Sequence, residues 1–550
     1  MALNGFTIMS GISTLIIGLL LTVIFVCGYT WASTSIFFRQ DIKSNQSAAK
    51  KDASAVPPLI PYAIPGLGST ITFSNQKIGG FFEYMRLLSR KYGGLSAFSI
   101  LLNGTRTHFI FSPQGVASVL KARQLTRVEL DQQLGTNVLA MSKEDAIRAF
   151  PEEDEHKEKT TTARIHSEHL LGSAAVNGLT SKFMECLNTE LAADDALDDG
   201  VETELYAWLW QKVFRASTTA LCGSKLLQMY PDFDKDYRTW EDNMLGMLFG
   251  IPRIFARPAY AARDATVDKL QKWLEEGYKH STTGGDPEWE PYFGARVMHK
   301  RHEFYKQQDL SIRGQAGFDL IFLAGILSNA TPATGWMLLH LLSPTSPPDL
   351  KQRIMKEIHS VQRSDGSIDV PALAKLPLLN SVFHETLRLY VDLLVVRKVN
   401  VDVALDNKHY VRKGEMVMAP SWMTHRSPEY FDRPTEFDAE RFLAEDPETG
   451  ELTYSVTGLN GKFWPFSGGS YMCPGRTFAK QEVLGTVAVL LLNFDIQFIE
   501  FMRRKKNNVE SLGSDKAGFP TPKDNYAGNQ VVGIEGDMKI RIKRRSIHRR

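Results

Sequence analysis

Cysteine is scarce in this chain: Cys27, Cys186, Cys222 and Cys473 are the four in 550 residues. So few, so widely spaced, make neither the disulfide framework of a small secreted fold nor a structural zinc site. They point to a reducing compartment and free thiols. A surplus of charge of either sign is also missing. Lys and Arg number 64 against 62 Asp and Glu, a formal net charge of +2, which gives nucleic acid no electrostatic footprint. Repeats and low-complexity blocks are lacking too. What remains, 43% hydrophobic and 23% charged residues, is the composition of an ordinary globular protein.

The start of the chain lacks charge altogether until Arg39. Before it, residues 6–29 (FTIMSGISTLIIGLLLTVIFVCGY) are long and apolar enough to cross a bilayer core of about 30 Å as a helix. A cleaved signal peptide would have a shorter apolar region and a basic flank, which residues 1–5 do not supply. Arg39, Lys43, Lys50 and Lys51 follow the run and hold the rest of the chain on the cytoplasmic side. Pro57, Pro58, Pro61 and Pro65 then make a stiff, extended stretch. The expected organisation is an anchor over residues 1–30, a basic linker and proline-rich hinge over 31–68, and one large body over 69–550. The charged stretches 151–158 and 192–200 are expected as solvated loops or helix faces.

Within the body, amphipathic patterns dominate: residues 203–221, 318–342, 350–363, 376–390 and 475–494 predict helices. Strand-like alternation is short and scattered, at 95–102, 108–112, 395–401 and 538–542. The fold class is therefore mainly α with small β-sheets, preceded by one N-terminal transmembrane helix.

The most informative stretch is Phe466-Ser-Gly-Gly-Ser-Tyr-Met-Cys473-Pro-Gly475, a glycine-rich loop that leads into a helix. Glycines permit unusual backbone conformations and the close approach of a flat macrocycle. A helix N-terminus, with free N–H groups and a positive dipole end, favours a thiolate over a thiol. Taken alone, such a cysteine is better explained as a buried, inert one. The string, however, resembles the cytochrome P450 signature F-x-x-G-x-x-x-C-x-G, matched by Phe466, Gly469, Cys473 and Gly475. Glu385 and Arg388 resemble the family's E-x-x-R pair. The stretch from Pro434 through Phe437 to Arg441 and Phe442 resembles its P-x-x-F-x-x-x-R-F element. Three elements in order identify the chain as a member of the cytochrome P450 superfamily, of the membrane-bound type.

That resemblance implies the P450 fold with a haem b cofactor, Cys473 as axial ligand of the iron, and Phe466, Gly469 and Gly475 around it. It implies a structural network of Glu385, Arg388 and Arg441, and Arg397 as a partner for a haem propionate. Arg164 and His166 lie where many members carry W-x-x-x-R, but no tryptophan is present; they are weaker propionate candidates and more simply surface or packing residues. Substrate contacts are expected around 125–149, 244–254, the helix before Asn329, and 393–396.

The chain departs from the family on the distal helix. Where members carry A-G-x-[DE]-T, this sequence puts Ser328 at the acid and Asn329 at the threonine. Asn329 followed by Pro332, and Tyr471 in place of an arginine two residues before the cysteine, resemble a narrower group. It contains cholesterol 7α-hydroxylase, sterol 12α-hydroxylase and prostacyclin synthase, with filamentous-fungal members similar in the proline-rich string. Pro332 removes one helical hydrogen bond and crowds the carbonyl of Ser328, so Asn329 and Ser328 are the candidate catalytic pair that shapes a dioxygen site. The plainer role of Asn329 is to cap a kink.

Three readings stay open. The first is a monooxygenase that oxidises a lipophilic terpenoid or sterol in fungal secondary metabolism. It would use electrons from NADPH through NADPH-cytochrome P450 reductase, with cytochrome b5 as a further partner, at the endoplasmic reticulum membrane with the catalytic domain cytosolic. No flavin or NADPH module occurs in the chain. The second is a redox-partner-independent isomerase, admitted by Asn329, which has no acidic proton. The third is a non-catalytic haem- or sterol-binding membrane protein.

Overall fold

The computed structural model describes residues 2–51, 53–74, 84, 87, 88, 91, 95–151, 161–248, 250–281, 286–505, 508–523 and 531–545. The principal helices are α1 (Ala2–Lys50), α2 (Pro113–Lys121), α3 (Thr162–Leu170), α4 (Ser173–Ala192), α5 (Leu205–Cys222) and α6 (Phe233–Leu248). Then come α7 (Arg257–His280), α8 (Arg296–Gln307), α9 (Ile312–Leu342), α10 (Leu350–Ser360), α11 (Pro377–Tyr390) and α12 (Arg476–Asn493). The main strands are β1 (Ala97–Leu102), β2 (Thr105–Ile110), β3 (Leu125–Thr126), β4 (Val201–Glu204) and β5 (Leu394–Val399). They continue with β6 (Met416–Pro420), β7 (Phe494–Lys505), β8 (Asn508–Gly513) and β9 (Asp537–Arg544). A mainly helical protein with small sheets is what the periodicity predicts. Of the two charged stretches, 192–200 forms a short helix at Ala196–Asp199 beside a turn, while all but Pro151 of 151–158 falls outside the described residues.

Two compact units make up the chain. The first comprises Met1–Arg127, Leu394–Thr424 and Asn460–Tyr471. Its sheet has the order β1-β2-β6-β5-β3, antiparallel except where β6 runs parallel to β2. α1 does not stop at Tyr29: it is one helix of 49 residues that continues through the basic stretch. Its most apolar 18-residue window, within residues 16–48, has a mean hydropathy of 2.0 and no buried residue, so the helix is long and apolar enough to cross a membrane. The proline-rich stretch is pinned to the sheet rather than standing free as a spacer. Ile60 donates to the Ser99 carbonyl and Ser99 to that of Pro58, both at 2.8 Å, and Ala55 donates to Lys408. Prolines lack a donor and so belong at a sheet edge; here Pro57 and Pro58 contribute carbonyls, and Arg106 donates to that of Pro57 at 2.6 Å. The segment also doubles back along α1. Thr34 Oγ1 donates to the Tyr62 carbonyl at 3.1 Å and Asn45 Nδ2 to that of Val56 at 3.0 Å.

The second unit comprises Val128–Leu393, His425–Leu459 and Met472–Arg550. Its centre is α9, which passes the same length-and-apolarity test as α1 but is 83% buried over its apolar window. Apolar on every side, it is a core helix, packed by α5, α7, α11 and α12. Ser311 caps its first turn and it runs unbroken across Pro332. A sheet of order β8-β7-β9-β4 closes this unit. α12 passes directly into β7 at Phe494, a long strand that the helical periodicity of 475–494 does not announce.

Candidate functional site

Cys473 lies just ahead of α12. The N-cap of that helix, Gly475, has no side chain to satisfy the first N–H groups. Those of Gly475 and Arg476 turn instead to the Cys473 sulfur, and the Arg476 guanidinium adds its charge. Burial still outweighs them and holds the thiol above its ordinary pKa. The helix terminus was expected to favour the thiolate of Cys473; here its N–H groups lower the pKa but do not offset desolvation in full. Cys186 and Cys222 are buried, and Cys27 belongs to α1, which leaves Cys473 as the accessible thiol of the body.

The preceding half of the loop belongs to the first unit. Phe466 is half-buried, and Ser467 and Gly469 take positive φ of 61° and 63°. A Cβ on Gly469 would stand 1.8 Å from the Leu120 carbonyl of α2, so glycine is required there by protein packing as well as by conformation. Tyr471 spreads its ring under two cations, with the Arg397 guanidinium 4.1 Å and that of Arg127 5.9 Å from its centroid. Arg397, on β5, is buried and also donates to the Val396 carbonyl at 2.8 Å. The tyrosine that replaces the usual arginine thus orients the arginine of the neighbouring strand.

In the second unit, Glu385 and Arg388 are three residues apart on α11 and face one way. Arg388 grips the carboxylate in a fork, Nε at 2.7 Å and Nη2 at 2.8 Å. Arg441 Nε bridges both carboxylate oxygens at 3.0 Å, and the Asp438 N–H adds a bond at 2.9 Å. The remaining guanidinium donors hold main-chain carbonyls of His425, Pro434, Glu436 and Asp432. Glu385 and Arg388 are fully buried. Such a network fixes the irregular segment 425–441 without a regular element to do so.

On α9, every residue from Gly314 to Leu342 is buried except Ile321, Gly325 and Asn329. Their i, i+4 spacing makes one open stripe along an otherwise enclosed helix. Gly325 is exposed, and a Cβ there would meet nothing within 4 Å. Asn329 Nδ2 donates to the Gly325 carbonyl and its Oδ1 accepts from the Val531 N–H, both at 3.0 Å. The amide therefore braces the stripe and keeps one N–H and one lone pair for other partners. Ser328 points elsewhere: it is buried, with its hydroxyl 2.8 Å from that of Tyr237 on α6.

The weaker propionate candidates sit in two environments. Arg164 is a surface residue paired with Glu168 at 2.8 Å. His166 is half-buried, stacked on Phe322 and 2.6 Å from Arg301, where desolvation pushes its pKa well down. Sequence reasoning missed the cluster around it. Asp319 on α9 is fully buried, yet His302, Arg301 and Tyr305 of α8 together overcome desolvation and keep its pKa low. The only signal was an aspartate inside an apolar helix, which implies buried partners. Of the expected substrate segments, 244–254 includes the end of α6 and a loop with Ile251, Ile254 and Phe255 exposed in and beside it, and 393–396 enters β5.

The family model for cytochrome P450 matches residues 57–526. The chain belongs to the cytochrome P450 family. Among its relatives, the cytochrome P450 monooxygenase calL of Penicillium decumbens is 29% identical over 69% of this chain and 71% of its own. The cytochrome P450 monooxygenase fsoE of Humicola fuscoatra is 26% identical, with 96% and 95% covered. The 5-beta-cholestane-3-alpha,7-alpha-diol 12-alpha-hydroxylase of Sus scrofa is 23% identical, with 86% and 91% covered. These relatives fit the narrower group that Asn329 and Tyr471 suggest, and this P450 is a monooxygenase. The family carries a haem, and residues of the second unit suit one: a thiol that faces the first N–H groups of a helix, and an open glycine face on the core helix.

Proposed function

We propose that this P450 oxidises a lipophilic small molecule, a terpenoid or sterol, with dioxygen and electrons supplied from NADPH by NADPH-cytochrome P450 reductase. The carrying observation is the open stripe of Ile321, Gly325 and Asn329 on a helix buried everywhere else along its core length. An exposed glycine beside a half-buried asparagine at the middle of a core helix supports the packing of a non-protein group there. An apolar residue, a bare backbone and a single amide suit a flat group together with an apolar substrate.

Cys473 would hold the haem iron, with Phe466, Gly469 and Gly475 shaping the loop, and Arg397, oriented by Tyr471, would meet a propionate. A thiolate-held haem iron supplies the activation of dioxygen. Asn329 presents its spare N–H and lone pair beside Gly325, where it can hold an ordered water or a substrate hydroxyl. Glu385, Arg388 and Arg441 keep the scaffold and do not touch the reactants. Residues 1–30 anchor the chain in the endoplasmic reticulum membrane, with the body (69–550) on the cytosolic side. The unburied apolar face of α1 and the exposed Ile251, Ile254 and Phe255 support delivery of substrate from lipid. A fungal secondary pathway is the setting that fits the calL and fsoE relatives.

The test is expression beside a reductase in a host that supplies terpenoid precursors, under isotopically heavy dioxygen. One heavy oxygen in the product is expected. An unlabelled product isomeric with its precursor, formed without reductase, would overturn the proposal in favour of the isomerase. Cys473→Ala is expected to abolish the thiolate-type Soret band of the reduced carbon monoxide complex; its persistence would remove Cys473 from the iron.

A further inference from the structure

Ser328 stands where the family carries an acid, and it has an acid for a neighbour. Tyr237 and Glu241 lie four residues apart on α6 and so present one face. Tyr237 meets the Ser328 hydroxyl at 2.8 Å, and Glu241, one turn further along α6, comes close enough to the same hydroxyl to be influenced by it. On its other side Glu241 lines a cavity of about 870 Å³, walled also by Tyr206, Arg238, Lys523 and Asp537. Exposed Lys235 and Arg238 belong to that wall, so the cavity reaches the surface. Along α9, Ser328 comes three residues after Gly325 and one before Asn329. That places it on the edge between the side facing α6 and the open stripe.

We propose that Glu241 is the positioning residue for proton delivery in this P450, acting through Ser328 and refilled from the cavity behind it. The inference rests on the monooxygenase reading above. Monooxygenation consumes one dioxygen, two electrons and two protons for each hydroxyl and water formed. The electrons arrive from the redox partner and do not pass through this chain of groups. The O–H bond of the protonated Glu241 breaks as one forms at Ser328 Oγ. The proton that Ser328 already carried becomes one of the two that dioxygen reduction consumes, and a hydronium ion from the cavity water recharges the carboxylate.

The surroundings suit this role. Burial raises the Glu241 carboxyl to about 7, with Asp242 adding to the rise. The Ser328 hydroxyl, Arg238 and Lys523 pull it back only in part. Both protonation states are therefore populated near neutrality, as a proton donor that must be recharged requires. Tyr237 is held far above its ordinary range by burial and by Glu241, so it stays protonated and can donate to Ser328. Tyr206, packed in from α5, likewise stays neutral under the same two influences. The cavity's other buried carboxyl is already committed: Asp537 accepts from the N–H groups of Tyr206 at 2.8 Å, Ala207 at 3.0 Å and Met538 at 2.7 Å.

The experiment uses the full-length haem-loaded chain with reductase and NADPH and no added substrate. Dioxygen then leaves as hydrogen peroxide, for two electrons and two protons, or as water, for four of each. Failing proton delivery favours peroxide. Glu241→Gln and Ser328→Ala are each expected to raise the peroxide-to-water ratio by about tenfold or more, with the carbon monoxide spectrum unchanged and with Glu241→Asp restoring much of the loss. Separately, infrared spectra are expected to contain a protonated-carboxyl band that titrates near neutrality in the wild type and is missing from Glu241→Gln. An unchanged peroxide ratio and solvent isotope effect in Glu241→Gln would overturn the proposal, as would a titrating band that survives the substitution. A wild type that takes no electrons from reductase to dioxygen would fail the monooxygenase reading, and this proposal with it, while leaving the infrared assignment standing.

Discussion

Removing the Glu385 carboxylate should cost more than removing either arginine it holds. Glu385→Ala deletes the acceptor of two bonds from Arg388, two from Arg441 and one from Asp438 N–H. It leaves a fully buried guanidinium facing a second one that is 8% exposed. Breaking one buried pair in this way costs roughly 3–5 kcal/mol, a large share of the 5–15 kcal/mol that a folded protein typically has. Unfolding entropy of about 2 cal/mol/K per residue gives roughly 1 kcal/mol/K for a body of this size, so the melting temperature should fall by only about 3–5 °C. The effect on haem retention should be larger, because the 425–441 segment loses its anchor locally. Arg441→Met should cost less, since Glu385 keeps its fork with Arg388 and Arg441 is nearer solvent. Thermal unfolding and the haem-to-protein ratio of the purified variants measure both. If Glu385→Ala matched the wild type within about 1 °C, or if Arg441→Met were the more damaging, the reasoning from buried unpaired charge would be refuted.

Glu482, deep in α12, has its carboxyl raised to about 8 by burial, against a single side-chain partner in Ser217. Its native state keeps a proton that the unfolded chain releases above the ordinary carboxyl range. Stability is thus full at low pH and falls as pH rises toward 8, by roughly 5 kcal/mol in all; Glu482→Gln should flatten that fall, and equal pH slopes of melting temperature in the two proteins would contradict it. Gly469→Ala should destabilise by at least about 2 kcal/mol, because a Cβ at positive φ meets the Leu120 carbonyl. Gly325→Ala, in open space, should fold normally and gain about 1 kcal/mol of helix propensity, while changing substrate binding on the stripe. A drop in melting temperature for Gly325→Ala, or none for Gly469→Ala, would reverse those assignments.

What could be read in advance was local. The apolar run of α1, the glycine-rich approach to Cys473, the i, i+3 pair of Glu385 and Arg388 and the apolar character of α9 are each contained in a short stretch. The physics of such stretches, transfer to lipid, backbone freedom and helix geometry, acts between near neighbours. Less was legible where a segment's fate depends on a remote partner. The proline-rich stretch was expected as a stiff, extended hinge because prolines stiffen a chain, and nothing in it announced that Ser99 and Lys408 would offer it a sheet edge. α12 was expected to end near Phe494, and nothing nearby foretold that β9, more than 40 residues on, would draw the next residues into a strand.

The sequence by itself determined the family, the anchor, the thiol loop and the absence of the usual acid from the distal helix. Only the tertiary structure decided which side of α9 lies open, that Asn329 is braced by Val531, and that α6 brings Tyr237 onto Ser328 with Glu241 beside it. An all-apolar helix carries no periodic mark of the face it leaves uncovered. A carboxylate 87 positions from its serine acquires its partner, its burial and its raised pKa only when α6 is laid across α9.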